Sequence, residues 1–219
     1  MASAVGPIAP WVRQGTLVLV TTVALSLTSC GSLDAGRGRL SLPSPEQSIT
    51  GFDDNKIHVE YSFFALNELA RSQTTELRRA ALRHLGDRDP RVHYAAVYGL
   101  ALTATSASGS DQLVAMLTSS NVDERLLSAA SLAGIGDRRG LPVLINALDE
   151  KRALAFRRPP QYGFQFAQAE LLNLTAEDYG LKTATDETGV AAAKPAWLQW
   201  WASHQATLHL DRKLQRYVA

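Results

Sequence analysis

A segment that recurs after 32 positions is the feature that most constrains the fold of this chain. Asp89 to Leu100 reads DPRVHYAAVYGL, and Asn121 to Leu132 reads NVDERLLSAASL. Each segment begins with a turn-forming or helix-capping residue and continues into small apolar residues at helical spacing. A shorter amphipathic segment follows each one, at 111–117 and at 140–148. The chain therefore repeats a pair of helices, and one such pair buries its apolar face only by stacking on its neighbours.

The composition favours closely packed helices and predicts an all-α protein. Hydrophobic residues make up 46% of the chain, and aromatic residues only 7%. Abundant Ala lets paired helices approach closely, while Leu, Val and Ile fill the space between layers. Pro142 falls in the first turn of its predicted helix, where a missing N–H group is tolerated.

The segment 121–148 carries the most complete copy of the unit. Its characteristic positions hold Arg125, Ala129, Leu132, Ile135-Gly136-Asp137, Leu141-Pro142 and Leu144. This pattern resembles the HEAT-like repeat of the kind shared with phycobilisome lyase subunits. The resemblance implies a short right-handed α-solenoid of HEAT-like helical hairpins, in which the Gly136-Asp137 turn ends one helix and starts the next. It does not bring lyase activity with it, because that activity belongs to cytosolic enzymes that handle bilins, and a shared fold carries no function.

We assign residues 57–214 to the repeat domain, with repeats at about 57–86, 89–118, 121–149 and 164–207. The last unit is irregular: its closing turn at 175–180 and its Trp-rich final helix resemble the end of HEAT-repeat proteins, and we interpret 186–194 as an insertion. Because the ends of a repeat stack need caps, we assign that role to helices at Ile57–Ala70 and Pro195–Leu214.

The N-terminal segment has the order of a secretory signal peptide. Arg13 precedes an uncharged apolar run at 16–27, which is too short for a comfortable membrane span. The following Leu27-Thr28-Ser29-Cys30-Gly31 resembles the bacterial lipobox. The resemblance implies that residues 1–29 are removed and that Cys30, the only cysteine, carries covalent lipid. An ordinary signal peptide with a chance cysteine and an uncleaved anchor remain alternatives.

The predicted location follows from the same segment. Several acyl chains hold a protein at a membrane more firmly than one chain does. Gly31 stands where an Asp often retains lipoproteins at the inner membrane of Gram-negative cells, so we expect the outer membrane, facing the periplasm, in such a cell. Residues 30–56 are rich in Gly, Ser and Pro, and we interpret them as a flexible tether. Arg37 and Arg39 could touch lipid phosphates there, although a plain solvated linker is the simpler interpretation.

No catalytic motif is present, and we expect no enzymatic activity, no metal and no small-molecule substrate. G-x-S-x-G, P-loop and HExxH motifs are missing, and the five histidines are scattered. His84 and His93 flank one turn and could come close together. The expected mature part carries equal numbers of acidic and basic side chains, which gives no pull toward nucleic acid. The covalent lipid on Cys30 is the only non-protein group that we expect.

Two sets of residues are candidates for binding a partner. The first is basic and comprises Arg78, Arg79, Arg83, Arg138 and Arg139, which would lie at turns along one edge of a solenoid. Interleaved acidic residues favour the alternative of a charge-balanced, solvated edge. The second set is Trp197, Trp200 and Trp201, which share one helical face and form either a buried cap or an exposed aromatic anchor.

The sequence thus predicts a membrane-anchored, non-catalytic module that binds unidentified envelope proteins. The alternative is an accessory protein that binds glycan or peptidoglycan. Its recognition surface would consist of Tyr162, Phe164, Tyr179 and the tryptophans.

Overall fold

The computed structural model describes residues 42–52, 59–105, 110–154 and 161–219. These residues are mostly helical, which confirms the all-α prediction, and two small antiparallel sheets are the exceptions. The predicted signal peptide, Cys30, Arg37 and Arg39 lie outside the described residues. Contacts divide the chain into two compact units, of which the first ends at Gly99 and the second begins at Leu100.

The first unit begins with a short helix, α1 (Pro45–Thr50), inside the segment expected to be a flexible tether. Ser44 and Gln47 form a capping box, in which each side chain accepts the other residue's backbone N–H, at 3.3 and 3.0 Å. Ile49 and Phe52 are buried. The tether prediction is therefore wrong for residues 45–52, because two apolar anchors and a cap order a segment too short to show periodicity.

Three further helices complete the first unit: α2 (Val59–Ser72), α3 (Thr74–His84) and α4 (Pro90–Thr103), the last of which belongs to this unit as far as Gly99. Their core combines buried leucines with a cluster of aromatic rings. The ring of Phe63 lies 5.3 Å from that of Phe52 and 4.9 Å from that of Tyr98, in edge-to-face geometry. This cluster holds the end of the α1 segment against α2 and α4.

Helices lie at the predicted positions of the repeat, the first of them mostly in the first unit and the others in the second. Helices α5 (Ser110–Met116), α6 (Val122–Gly134) and α7 (Gly140–Asn146) follow α4, and a 3₁₀ turn at Ala147–Asp149 extends α7. Helix α6 begins 32 residues after α4, and α5 and α7 have the same length.

The predicted turn between α6 and α7 is confirmed in detail. Gly136 has φ +94°, a conformation that favours glycine. Its N–H donates to the Ala133 carbonyl at 3.1 Å, and the Asp137 N–H donates to the Leu132 carbonyl at 2.8 Å, which is a Schellman motif. Beyond this turn, Gly140 brings α7 against the backbone of α6 so closely that a Cβ atom there would lie 2.1 Å from the Ala129 oxygen.

A short hairpin of β1 (Ala153–Leu154) and β2 (Gln161–Tyr162) leads into α8 (Gly163–Leu174) and α9 (Glu187–His204). The prediction of an insertion at 186–194 is wrong, because residues 187–194 form the first turns of α9, which begins eight residues before Pro195. Asp186 caps α9 by accepting the Gly189 N–H at 2.8 Å. Lys194 fixes its first half by donating to the Asn146 carbonyl and to the Asp149 carboxylate.

The chain ends in a β-hairpin of β3 (His209–Asp211) and β4 (Arg216–Val218) rather than in the helical cap predicted as far as Leu214. Tyr217 explains the difference. Its buried hydroxyl donates to the Ala133 carbonyl at 3.0 Å, and its backbone bridges to Thr175. These contacts favour an extended chain that lies against the end of α6, and burial raises the pKa of Tyr217 far above its ordinary value.

Candidate functional site

In the first unit, the three candidate arginines lie on α3 in different environments. Arg78 is partly buried, and burial lowers the pKa of its guanidinium group. Arg79 is exposed. Arg83 forms an ion pair with Glu46 of α1. Of the three, Arg79 is therefore the cation most accessible to a partner.

The two candidate arginines of the second unit are engaged in contacts within that unit. Arg139 forms a two-pronged ion pair with Asp137, with Nε to Oδ1 at 2.9 Å and Nη2 to Oδ2 at 2.5 Å, and this hydrogen bonding lowers the pKa of Asp137. Arg138 donates to the carbonyl groups of Gln205 and Ala206, at 2.5 and 3.1 Å, and so ties the end of α9 to the turn after α6.

Other charged side chains of the two units are also paired within their own unit. The pairs are Arg91–Asp89, Arg125–Glu150, Arg152–Glu150, Lys151–Glu187 and Lys194–Asp149. Exposed pairs of this kind contribute little to stability but cancel each other's charge. This geometry favours the charge-balanced alternative over an uninterrupted basic stripe.

The tryptophans lie on α9 at different depths. Trp197 and Trp200 are buried, and their ring centroids lie 5.3 Å apart in edge-to-face geometry. As partner-binding candidates these two are excluded, because their rings belong to the core of the second unit. Trp201 is half-buried.

The other aromatic candidates do not form one platform. Phe164 is buried beneath Tyr162, with which it stacks at 5.8 Å. Tyr162 and Tyr179 are 46% and 39% exposed. However, Tyr162 precedes α8 and Tyr179 follows it, and a helix of 12 residues is roughly 18 Å long. A sugar could not stack on both rings at once.

A charged cluster at the end of α3 was not predicted. The His84 Nε2 atom lies 2.5 Å from Glu46 Oε1, and Nδ1 lies 3.2 Å from Asp87 Oδ2. An imidazole with carboxylates at both nitrogens satisfies both contacts only when it is protonated. The hydrogen bond to Glu46, aided by that to Asp87, raises the pKa of His84, and the bonds from His84 and Arg83 lower the pKa of Glu46.

This cluster holds α1 on the end of α3. The spacing of His84 and Asp87 was visible in the sequence, but Glu46 is 38 positions away from His84, and no local signal pointed to it. His93, the suggested partner of His84, instead hydrogen-bonds the Leu85 carbonyl at 2.6 Å.

Several apolar side chains remain exposed and are candidates for contact with a partner. In the first unit they are Tyr61 and Phe64, three residues apart on one face of α2, and Leu82 on α3. In the second unit, Leu198 and Leu214 are exposed in addition to Tyr162 and Tyr179. Leu214, on the turn of the C-terminal hairpin, is the most exposed of these side chains.

Within the part of the chain that the structure describes, no group of His, Cys, Asp and Glu residues could hold a metal ion. None of the described helices combines the length and the apolar character needed to cross a membrane. Comparison with known proteins returned no matching family model, no similar curated protein and no similar solved structure.

Proposed function

We propose that the mature protein is a lipid-anchored, non-catalytic module that binds other proteins in the cell envelope. The observation that carries this proposal is the repeated helix pair. Helices α4 and α6 begin 32 residues apart and are followed by α5 and α7, which are equally short. Tandem helix pairs with HEAT-like residues support a short right-handed α-solenoid, an architecture that presents an extended binding surface on a stiff scaffold.

Exposed apolar side chains on the first helix pair support a protein partner. Phe64 on α2 is 54% exposed and Leu82 on α3 is 41% exposed, although both helices bury the opposite face well. Aromatic side chains such as that of Phe64 are enriched at protein interfaces. We therefore propose that the partner protein contacts mainly these two helices. Arg79, three residues before Leu82 on α3, is the accessible cation of this surface.

The anchor would raise the local concentration of this surface at the membrane. Leu42, where the described chain begins, lies 12 positions after Cys30. A fully extended chain of that length spans at most roughly 40 Å. Lipid on Cys30 would thus confine the first helices to a thin layer above the bilayer, which favours partners in the same membrane.

Site-specific photocrosslinking in intact cells tests the binding function. A photoreactive amino acid at Phe64 or Leu82 is expected to capture one defined envelope protein. The matched control carries the same group at Ser72, which is exposed at the far end of α2. If positions 64 and 82 capture nothing beyond the control, while the protein is retained on purified peptidoglycan, the glycan-binding alternative replaces this proposal.

The anchor is tested separately by replacing Cys30 with Ala. The substitution is expected to release the protein from membranes or to leave an unprocessed precursor, because no other thiol can accept the lipid. In a Gram-negative host, Gly31→Asp keeps the cysteine and is expected to move the protein to the inner membrane. Unchanged processing and membrane association of the Cys30→Ala variant would refute the lipoprotein assignment.

A further inference from the structure

The C-terminal hairpin has a rigid base. Tyr217 of β4 is buried and hydrogen-bonds the carbonyl group of Ala133, and Leu208 just before β3 is also buried. Leu210 lies so close to the turn after α6 that a Cβ atom on Gly136 would be 3.5 Å from its side chain. The two strands pair Asp211 with Arg216 at their outer end. The base therefore fixes the direction in which the turn projects.

The turn itself, residues 212–215, has a defined conformation. The Asp211 carboxylate accepts the backbone N–H groups of Lys213 and Leu214, at 2.7 and 3.1 Å. These hydrogen bonds lower the pKa of Asp211. Gln215 closes the turn with φ +55°, and its side chain donates to the Arg212 carbonyl at 2.6 Å. The turn thus presents its side chains from an ordered backbone.

The side chains at this end of the hairpin, residues 211–216, combine one exposed leucine with cations that form no ion pair in the described part of the chain. Leu214 is 63% exposed. Arg212, Lys213 and Arg216 are exposed and form no ion pair with the described residues. Other cations of the same unit, such as Arg139 and Lys194, are paired. Together with the carboxylate of Asp211, these three cations give residues 211–216 a net charge of +2.

We propose that this basic turn (residues 211–216) binds an anionic phospholipid surface. Leu214 enters the headgroup region, and Arg212, Lys213 and Arg216 contact phosphate groups. An apolar side chain flanked by cations is the arrangement that interfacial membrane segments use. The inference rests on the proposed lipid anchor for bringing the hairpin to a membrane.

Charge and shape favour a lipid surface over an acidic protein. Each Lys or Arg close to an anionic membrane strengthens association by about 1 kcal/mol, roughly a fivefold effect, and three such cations lie here together. The turn is a projecting tip, so a protein partner would need a pocket for Leu214.

The test uses the full chain, purified from membranes and reconstituted into vesicles of phosphatidylcholine, with or without phosphatidylglycerol. Hydrogen–deuterium exchange of the peptide spanning 207–219 reports on the hairpin. Exchange is expected to slow on the anionic vesicles and to recover at high salt. Replacing Arg212, Lys213 and Arg216 with Gln is expected to remove this protection, and L214S to weaken it.

Matched controls separate the turn from general effects. Leu198→Ser removes another exposed leucine of the same unit, and Arg139→Gln removes a cation that is already paired; both are expected to keep the protection. Equal exchange on neutral and anionic vesicles would overturn the proposal, as would protection that survives in the triple Gln variant.

The mass of the N-terminal peptide shows independently whether Cys30 carries lipid. If it does not, the anchor assignment fails, and the same chain is then mixed with preformed vesicles. If hairpin exchange in this unlipidated chain slows with anionic vesicles but not with neutral ones, the proposal is still supported. Equal exchange with both kinds of vesicle would refute it.

Discussion

Replacing Gly140 with Ala tests the close approach of α6 and α7. A Cβ atom at this position would lie 2.1 Å from the Ala129 oxygen, and 3.0 Å from both the Ala129 carbonyl carbon and the Ala133 nitrogen. Ordinary van der Waals contact begins at 3.4 Å. All three atoms belong to the backbone, so no change of rotamer can relieve the overlap. The two helices must therefore move apart by about 1 Å, the distance over which dispersion contacts weaken.

The expected loss of stability follows from the side chains that α7 buries. Leu141, Leu144 and Ile145 are fully buried, and each contributes ~1.5–3 kcal/mol by its burial. A gap of up to about 1 Å removes a quarter to a half of the dispersion energy across it. We expect the free energy of unfolding to fall by roughly 2–3 kcal/mol, in the range typical of overpacked cores. The midpoint of thermal unfolding should fall by about 5–10 °C for a chain of this size.

Thermal and urea unfolding, followed by circular dichroism and by tryptophan fluorescence, measure this change. Trp197, Trp200 and Trp201 all lie on α9, so the fluorescence of the described chain reports on the unit that contains Gly140. The control is Gly86→Ala, where an added Cβ atom meets nothing within 4 Å and φ is not positive. We expect this control to leave stability unchanged or to raise it slightly. A Gly140→Ala protein within about 0.5 kcal/mol of the wild type would refute the close contact.

Three further predictions concern other contacts within each unit. Because its folded-state pKa is raised, His84 stabilises the first unit fully below its unfolded pKa, and this contribution is lost as the pH rises through the folded value. His84→Gln should therefore cost about 1 kcal/mol near pH 5.5 and less near pH 9, by circular dichroism; an equal loss at both would contradict the charged contact. Tyr217→Phe should lower the stability of the second unit by roughly 1 kcal/mol in fluorescence-monitored unfolding, because it removes the hydrogen bond to Ala133; an unchanged midpoint would argue against that bond. Trp197→Ala should cost about 3–5 kcal/mol and the half-buried Trp201→Ala clearly less, so equal losses in urea unfolding would contradict the difference in burial.

The local pattern of the sequence was sufficient for the repeated helices. Asn121 before α6, the Gly136-Asp137 turn after it and the apolar spacing between them set boundaries that the structure confirms within two residues. Caps and turns of this kind depend on residues within one helical turn of each other, so the chain reveals them without its fold.

Long-range contacts, in contrast, placed the elements that sequence reasoning missed. Helix α1 is held by a contact between Glu46 and His84, 38 positions apart, and the C-terminal hairpin by a hydrogen bond between Tyr217 and Ala133, 84 positions apart. Pro195 suggested a helix start, yet the packing of the preceding residues allows α9 to begin earlier.

The same distinction between local pattern and long-range contact applies to the candidate site. The sequence showed which positions carry charge and aromatic rings, including every arginine and tryptophan considered. It could not show that Arg138 and Arg139 are engaged, that Trp197 is buried or that the cations around Leu214 are not paired. Pairing and burial are properties of neighbours in space, and those neighbours are defined only when distant segments of the chain have packed together.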